Sequence, residues 1–174
     1  MSDLPDIIPD EFFTAIGQVT NLWASFEFYV DQLIWDVGHF NPHLGACVTS
    51  QLMSVAPRFR ALVVLAEQRG VPDDLIKELN QFSVRADKTG RKRHRYAHDP
   101  LFLAGESLET ATEVKRLQLT ADRKLIYRFQ SIEVDEIKAV HLEIHQMNRD
   151  FVALSTRVRG SLRALPRTFR WRQP

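Results

Sequence analysis

A single cysteine, Cys47, leaves this chain of 174 residues without an internal disulfide. The fold must therefore rest on packing, and the sequence suits a reducing compartment. Cys47 itself reads as a small buried apolar residue, since no catalytic triad accompanies it. The seven glycines are scattered singly. With neither a phosphate-cradling glycine loop nor a dinucleotide fingerprint, kinase-like and Rossmann-type functions are disfavoured. No uncharged apolar run approaches membrane-spanning length. Asp3, Asp6, Asp10 and Glu11 stand where a secretory signal would carry basic residues. The expectation is a cytoplasmic protein with no membrane association.

Metal-ligand sets are equally thin. His141 and His145 lie four apart with Glu143 between them, but no cysteine or third ligand of suitable spacing accompanies them. They read as partly buried interface histidines beside an apolar seam, and neither a metal nor a cofactor is expected. His39 and His43 flank Asn41-Pro42 in a turn and need no special role.

Acidic residues are absent from the C-terminal end. From residue 157 onward there are six arginines (Arg157, Arg159, Arg163, Arg167, Arg170 and Arg172) and no acid, so the net charge of +1 conceals a chain whose other residues are acidic on balance. Residues 161–174 read as a basic tail behind a single domain spanning residues 1–160. Phe169 and Trp171, interleaved with Arg167, Arg170 and Arg172, would suit stacking on unpaired bases. The alternative is a solubilising, poorly ordered terminus.

Two long helices are the clearest pattern present. Ile16, Val19, Trp23, Phe26, Val30, Leu33 and Val37 recur at spacings of three and four, which predicts a helix from about Asp10 to Gly38. Ile137, Val140, Ile144, Met147, Phe151, Leu154 and Val158 repeat that spacing between about Val134 and Gly160. Such seams suit an antiparallel pair in a bundle, or a helix shared with a second copy of the chain. Trp23, Phe26 and Phe151 lie on the stripes and read as core. Between the two, Asn41-Pro42, Pro57 and Gly70-Val71-Pro72-Asp73 punctuate shorter helices at about 43–54, 57–69 and 73–88. Gly90 then weakens the pattern, and Asp99-Pro100 closes it. Alternation of Leu117 and Leu119, then Leu125, Tyr127 and Phe129, around Ala121-Asp122-Arg123 predicts a β-hairpin at about 113–130. The expected fold is mainly α, a bundle of about five helices with the hairpin between the last two.

One segment carries chemistry: Arg93-His94-Arg95-Tyr96-Ala97-His98. An arginine supplies a permanent charged fork for phosphate, and a histidine accepts and donates protons near neutral pH. An arginine, a polar residue and then a histidine, placed after the fourth helix of a bundle whose first helix bears Trp23 and Glu27, resembles the HEPN superfamily. That resemblance implies metal-independent RNA cleavage in a site formed where two motifs meet, and hence a homodimer. Arg93 would hold the scissile phosphate, His98 would act as general acid or base, and His94 would be the polar helper. Arg85, Lys88, Arg91, Lys92 and Arg95 would attract the RNA backbone without regard to sequence. The setting implied is defence, stress or a toxin-antitoxin system with a regulatory protein partner.

Two positions depart from the family pattern. Many relatives have glycine after the motif histidine, where this chain has Asp99, which would either orient the His98 imidazole or compete with phosphate. Pro100 stands where toxin members carry a nucleotide-modified tyrosine, so that regulation is not expected. The competing reading is structural: Arg93 caps its helix or pairs with Glu27, His98 bonds to a loop, and the chain is a non-catalytic RNA- or nucleotide-binding or protein-interaction module.

Overall fold

A computed structural model describes residues 8–104, 113–122 and 124–163. The basic tail beyond Arg163 and its Phe169 and Trp171 lie outside the described residues. The chain runs α1 (Asp10–Gly38), α2 (Pro42–Thr49), α3 (Val55–Gln68), α4 (Asp73–His98), β1 (Leu101–Ala104), β2 (Glu113–Asp122), β3 (Lys124–Ser131) and α5 (Val134–Arg163). It is mainly α, as expected, with a small antiparallel sheet of order β1-β2-β3. No described helix is long and apolar enough to cross a membrane.

The helix starts have local causes. Asp10 and Glu11 in the first turn of α1, Asp73 and Asp74 in that of α4, and Asp135 and Glu136 in that of α5 all place negative charge at the positive end of the helix dipole. In α2 the Asn41 side chain accepts the Leu44 N–H at 2.9 Å and Pro42 occupies the first turn. That helix ends at Thr49, earlier than the expected 54. Its eight residues turn Gly45 and Thr49 inward, where the Trp35 Nε1–H donates to Thr49 Oγ1 at 3.2 Å. Cys47, two residues from each, faces the other side and is exposed. The expected burial of Cys47 is therefore corrected: on so short a helix only one position per turn reaches the core.

The core is knotted by four phenylalanines. Phe26 of α1, Phe59 of α3, Phe82 of α4 and Phe151 of α5 touch in all six pairings, with ring centroids between 5.2 Å (Phe82–Phe151) and 6.3 Å (Phe26–Phe59). Around them pack Val19, Val30, Leu33, Leu62, Leu79, Ile144 and Met147, all fully buried. Both long stripes thus turn inward against each other, with α1 against α5 and α3, and α4 between α3 and α5.

Helix α4 runs ten residues past the expected end at 88. Glycine costs about 1 kcal/mol in a helix interior, and Gly90 was the reason to expect a break. The structure uses it: a Cβ at Gly90 would stand 2.9 Å from Cη2 of Trp23, so the missing side chain lets α1 close on α4. The helix stops where Pro100 forces Asp99 into an extended conformation, with ψ of 130°.

The expected hairpin exists as β2 and β3, in register from Lys115↔Ser131 to Asp122↔Lys124. A third strand, β1, adds to β2 with Leu101↔Arg116 through Ala104↔Glu113. Four residues directly after a proline are too few to show a period of two, which is why the sequence suggests two strands and the structure has three.

The two exposed or close-packed glycines predict opposite responses to the same substitution. Gly17 in α1 has open space where a Cβ would stand. Gly17→Ala should raise stability by about 0.5–1 kcal/mol. Gly90→Ala should lower it despite the better propensity, because Trp23 must shift. Urea midpoints at constant m-value check both; a stabilised Gly90→Ala variant would show that Trp23 does not need the gap.

Candidate functional site

The motif occupies the last turns of a continuous helix. His94 and His98 are four apart and so share a face, both exposed, with ring centroids 4.5 Å apart at 47°. Arg93 is half-buried on another side. Five residues of α-helix place Arg93 and His98 about 140° apart around the axis and about 7.5 Å along it. The structure therefore brings the two histidines together and leaves Arg93 flanking them.

Arg93 does not pair with Glu27. Glu27 is paired with Arg58 at 3.6 Å, and Arg58 Nε also reaches Asp31 Oδ1 at 2.8 Å. Among the described residues Arg93 has no ion-pair partner, and its Nε is buried without a hydrogen-bond acceptor. A buried guanidinium N–H with no acceptor is costly for folding.

The surrounding cations divide into two groups. Glu78, Arg85 and Lys92 on α4 face Arg157, Asp150 and Glu143 on α5, at 2.6 Å, 2.5 Å and 2.6 Å. Each step is seven residues on both antiparallel helices, so the three pairs form a ladder along one seam. Arg85 and Lys92 are thus engaged with α5, and Arg91 with Asp87 at 2.8 Å. Lys88 and Arg95 are exposed and lack an ion pair among the described residues. From Lys88 to His98 there are five cations and no acid.

The Lys92 end of the ladder is the most enclosed chemically. Burial alone would raise the Glu143 pKa, but hydrogen bonds from Lys92 and from Thr89 Oγ1, the latter at 2.7 Å, outweigh it and hold the carboxyl below its usual range. Asp150 is lowered chiefly by the hydrogen bond from Arg85. Tyr96 moves the other way: burial, then the nearby Glu136 carboxylate, raise its phenol against the opposing pull of Arg116, Lys92 and Arg95, so it stays protonated at neutral pH.

Asp99 faces the sheet, not the His98 imidazole. Its Oδ2 lies 3.5 Å from Arg116 Nε, an ion pair without hydrogen-bond geometry. Arg116 is only 4% exposed. It lies over the Tyr96 ring at 5.3 Å and donates to Gln130 Oε1 at 2.9 Å. Arg116 escaped the sequence reading, although one signal was present: with Val114 it occupies the inward positions of an alternating strand, where a charge must find a partner. His141 is half-buried and His145 exposed, so the expected burial of both holds only for the first. No group of three potential metal ligands occurs among the described residues. No protein-family model, curated protein or solved structure matches this chain.

The lowered carboxyls of Glu143 and Asp150 link folding to pH. A depressed folded-state pKa adds stability above the unfolded value, near pH 4, and that stability is lost as pH falls through the folded value. Glu143→Gln should therefore be less stable than the parent at pH 7, with the difference shrinking by pH 3. Equal differences at both pH values, in urea titrations, would remove the linkage.

Proposed function

We propose that the chain is a metal-independent RNA endonuclease on a HEPN-like bundle, active as a homodimer. The observation that carries this reading is the exposed His94–His98 pair beside a half-buried Arg93 that has no ion-pair partner among the described residues. A satisfied structural arginine would have a carboxylate, and Glu27 is committed to Arg58.

In the reaction, His98 takes the proton of the 2′-hydroxyl as that oxygen attacks phosphorus. The bond from phosphorus to the 5′-oxygen breaks, and a protonated imidazole returns a proton to the leaving oxygen. The products are a 2′,3′-cyclic phosphate and a free 5′-hydroxyl. Arg93 stabilises the charge gathered on the phosphoryl oxygens, which a fixed guanidinium does without reorganisation. His94, its ring tilted at 47° against that of His98, holds the imidazole in place. Because Arg93 and His98 diverge around one helix, the reading has the Arg93 of one protomer meeting the His98 of the other across a shared cleft. Lys88 and Arg95 supply long-range attraction to the backbone, whereas Arg85 and Lys92 act mainly as bundle ties.

The second reading keeps the surface and drops the chemistry: an RNA- or nucleotide-binding or protein-interaction module of the same fold. The divergence of Arg93 from His98 favours it if the chain works as a monomer.

Purified protein in EDTA should cut mixed-sequence RNA to cyclic-phosphate ends. Arg93→Ala and His98→Ala should each lower the rate by about 10²- to 10⁴-fold while folding and dimerisation persist. His94→Ala should fall between them and the parent. Absence of cutting, with RNA bound alike by the parent and both variants, would leave the binding module. For binding itself, log K against log salt should lose a slope of roughly 0.7 for each of Lys88→Ala and Arg95→Ala on single strands. A larger loss from Arg85→Ala than from these two would show that the wrong cations had been assigned to phosphate.

A further inference from the structure

The sheet carries a feature that the motif chemistry does not use. Strand residues alternate between faces, and Val114 and Arg116 are buried on the side toward the bundle. The registers Phe102↔Lys115↔Ser131 and Leu117↔Phe129 put Phe102, Lys115, Leu117 and Phe129 on the opposite, outer face. There Phe102 is 43% and Phe129 60% exposed, and their rings touch edge to face with centroids 6.2 Å apart. The outward positions of an antiparallel sheet are normally polar. Two phenylalanines in contact at such positions form an apolar surface that folding has not covered.

Charge decides what would cover it. Phe102 follows His98 by four residues, so their Cα atoms are at most about 14 Å apart. The rings therefore stand within a few nucleotides' reach of the helix end, where Lys88 and Arg95 are exposed without an ion pair among the described residues. Lys115 on the same face is paired with Glu113 at 3.0 Å, so the positive charge comes from the helix end. An apolar protein surface would cover the rings without needing those charges. A nucleic acid strand uses both, with phosphates on the helix end and bases on the rings. Only unpaired bases offer a free π-face, and phenylalanine, having no hydrogen-bonding group, stacks without choosing among them.

We propose that Phe102 and Phe129 are a stacking platform for unpaired bases of a single-stranded RNA whose backbone crosses the end of α4. The proposal rests on the RNA reading of that helix end and names its substrate class as single-stranded.

The test separates binding from cutting. A 2′-O-methyl oligoribonucleotide carrying 2-aminopurine has no free 2′-hydroxyl to attack, so it reports stacking by fluorescence whether or not the protein is a nuclease. Phe102→Ala and Phe129→Ala should each weaken its binding by about tenfold, leave the same sequence as a duplex bound as before, and keep the parent's melting temperature. Phe129→Tyr should retain binding, which guards against a folding artefact. Unchanged single-strand binding in both alanine variants, or equal losses on single strand and duplex, would overturn the platform. So would loss of self-association in place of loss of RNA, since the rings would then cover a second protein. Ring-dependent binding without any cleavage of ordinary RNA would leave the platform standing and remove the nuclease reading. Cleavage with ring-independent binding would do the reverse.

Discussion

The contact among Phe26, Phe59, Phe82 and Phe151 sets the rotation of all four long helices at once. Rotating any one helix about its axis would withdraw a ring from three partners. Aromatic pairs add about 0.5–1.5 kcal/mol beyond the area they bury, so the cluster outweighs any single exposed ion pair in holding the bundle. The ladder from Glu78–Arg157 to Lys92–Glu143 has a different part. Its members are largely exposed, and what they supply is register: a slip of α5 by one turn would replace Arg157, Asp150 and Glu143 with neutral residues such as Ala153, Gln146 and Ala139. Trp23 over Gly90 then carries the close packing of α1 and α4 to the end of the helix. The chain of cause runs from the ring cluster, through the ladder and Trp23, to a rigid helical support for the motif.

That support explains why cations of one type have unequal parts. Arg85, Lys92 and Arg116 are each held by an acid, on α5 or at Asp99, and leave little charge free for a ligand. Among the described residues Lys88 and Arg95 have no ion pair, and Arg93 has a buried N–H without an acceptor. Asp99 is best understood from the sheet side. It ties the end of α4 to Arg116 on β2, and so fixes the strands relative to the motif.

Much of the architecture was legible because period and burial agree. The stripes of α1 and α5 need no tertiary information, since seven apolar residues at spacings of three and four can face only one way. The end of α4 was not legible, because propensity judges Gly90 alone while the structure judges it with Trp23, a residue 67 positions earlier in the chain. β1 was hidden for a related reason, as its strand character comes from β2. Cys47 was misplaced because hydrophobicity scales score a residue and not the side of a one-face helix on which it falls. At the motif, residue types were readable and pairings were not. Nothing in the spacing tells that Glu27 belongs to Arg58, or that Asp99 turns to Arg116.

The charge of the α4 end is more than the fold requires. A helix C-terminus favours cations, by about 0.3–1 kcal/mol each, but only within the last turn. That accounts for Arg95 and His98, the basic residues of that turn. Lys92 is accounted for by Glu143 and Arg91 by Asp87. Lys88 and Arg93 remain: neither has an ion pair among the described residues, although the Lys88 charge is near enough to help lower the Glu143 pKa. Like charges this close repel, so a segment selected for stability alone would have exchanged some of them for neutral residues or interleaved an acid. The repulsion turns to attraction only when an anion is present. Arg93 is the sharper case, because its Nε is buried without an acceptor among the described residues, which costs folding free energy. The end of α4 is therefore a surface carrying more positive charge than its helix dipole and ion pairs account for, with an exposed imidazole pair beside it.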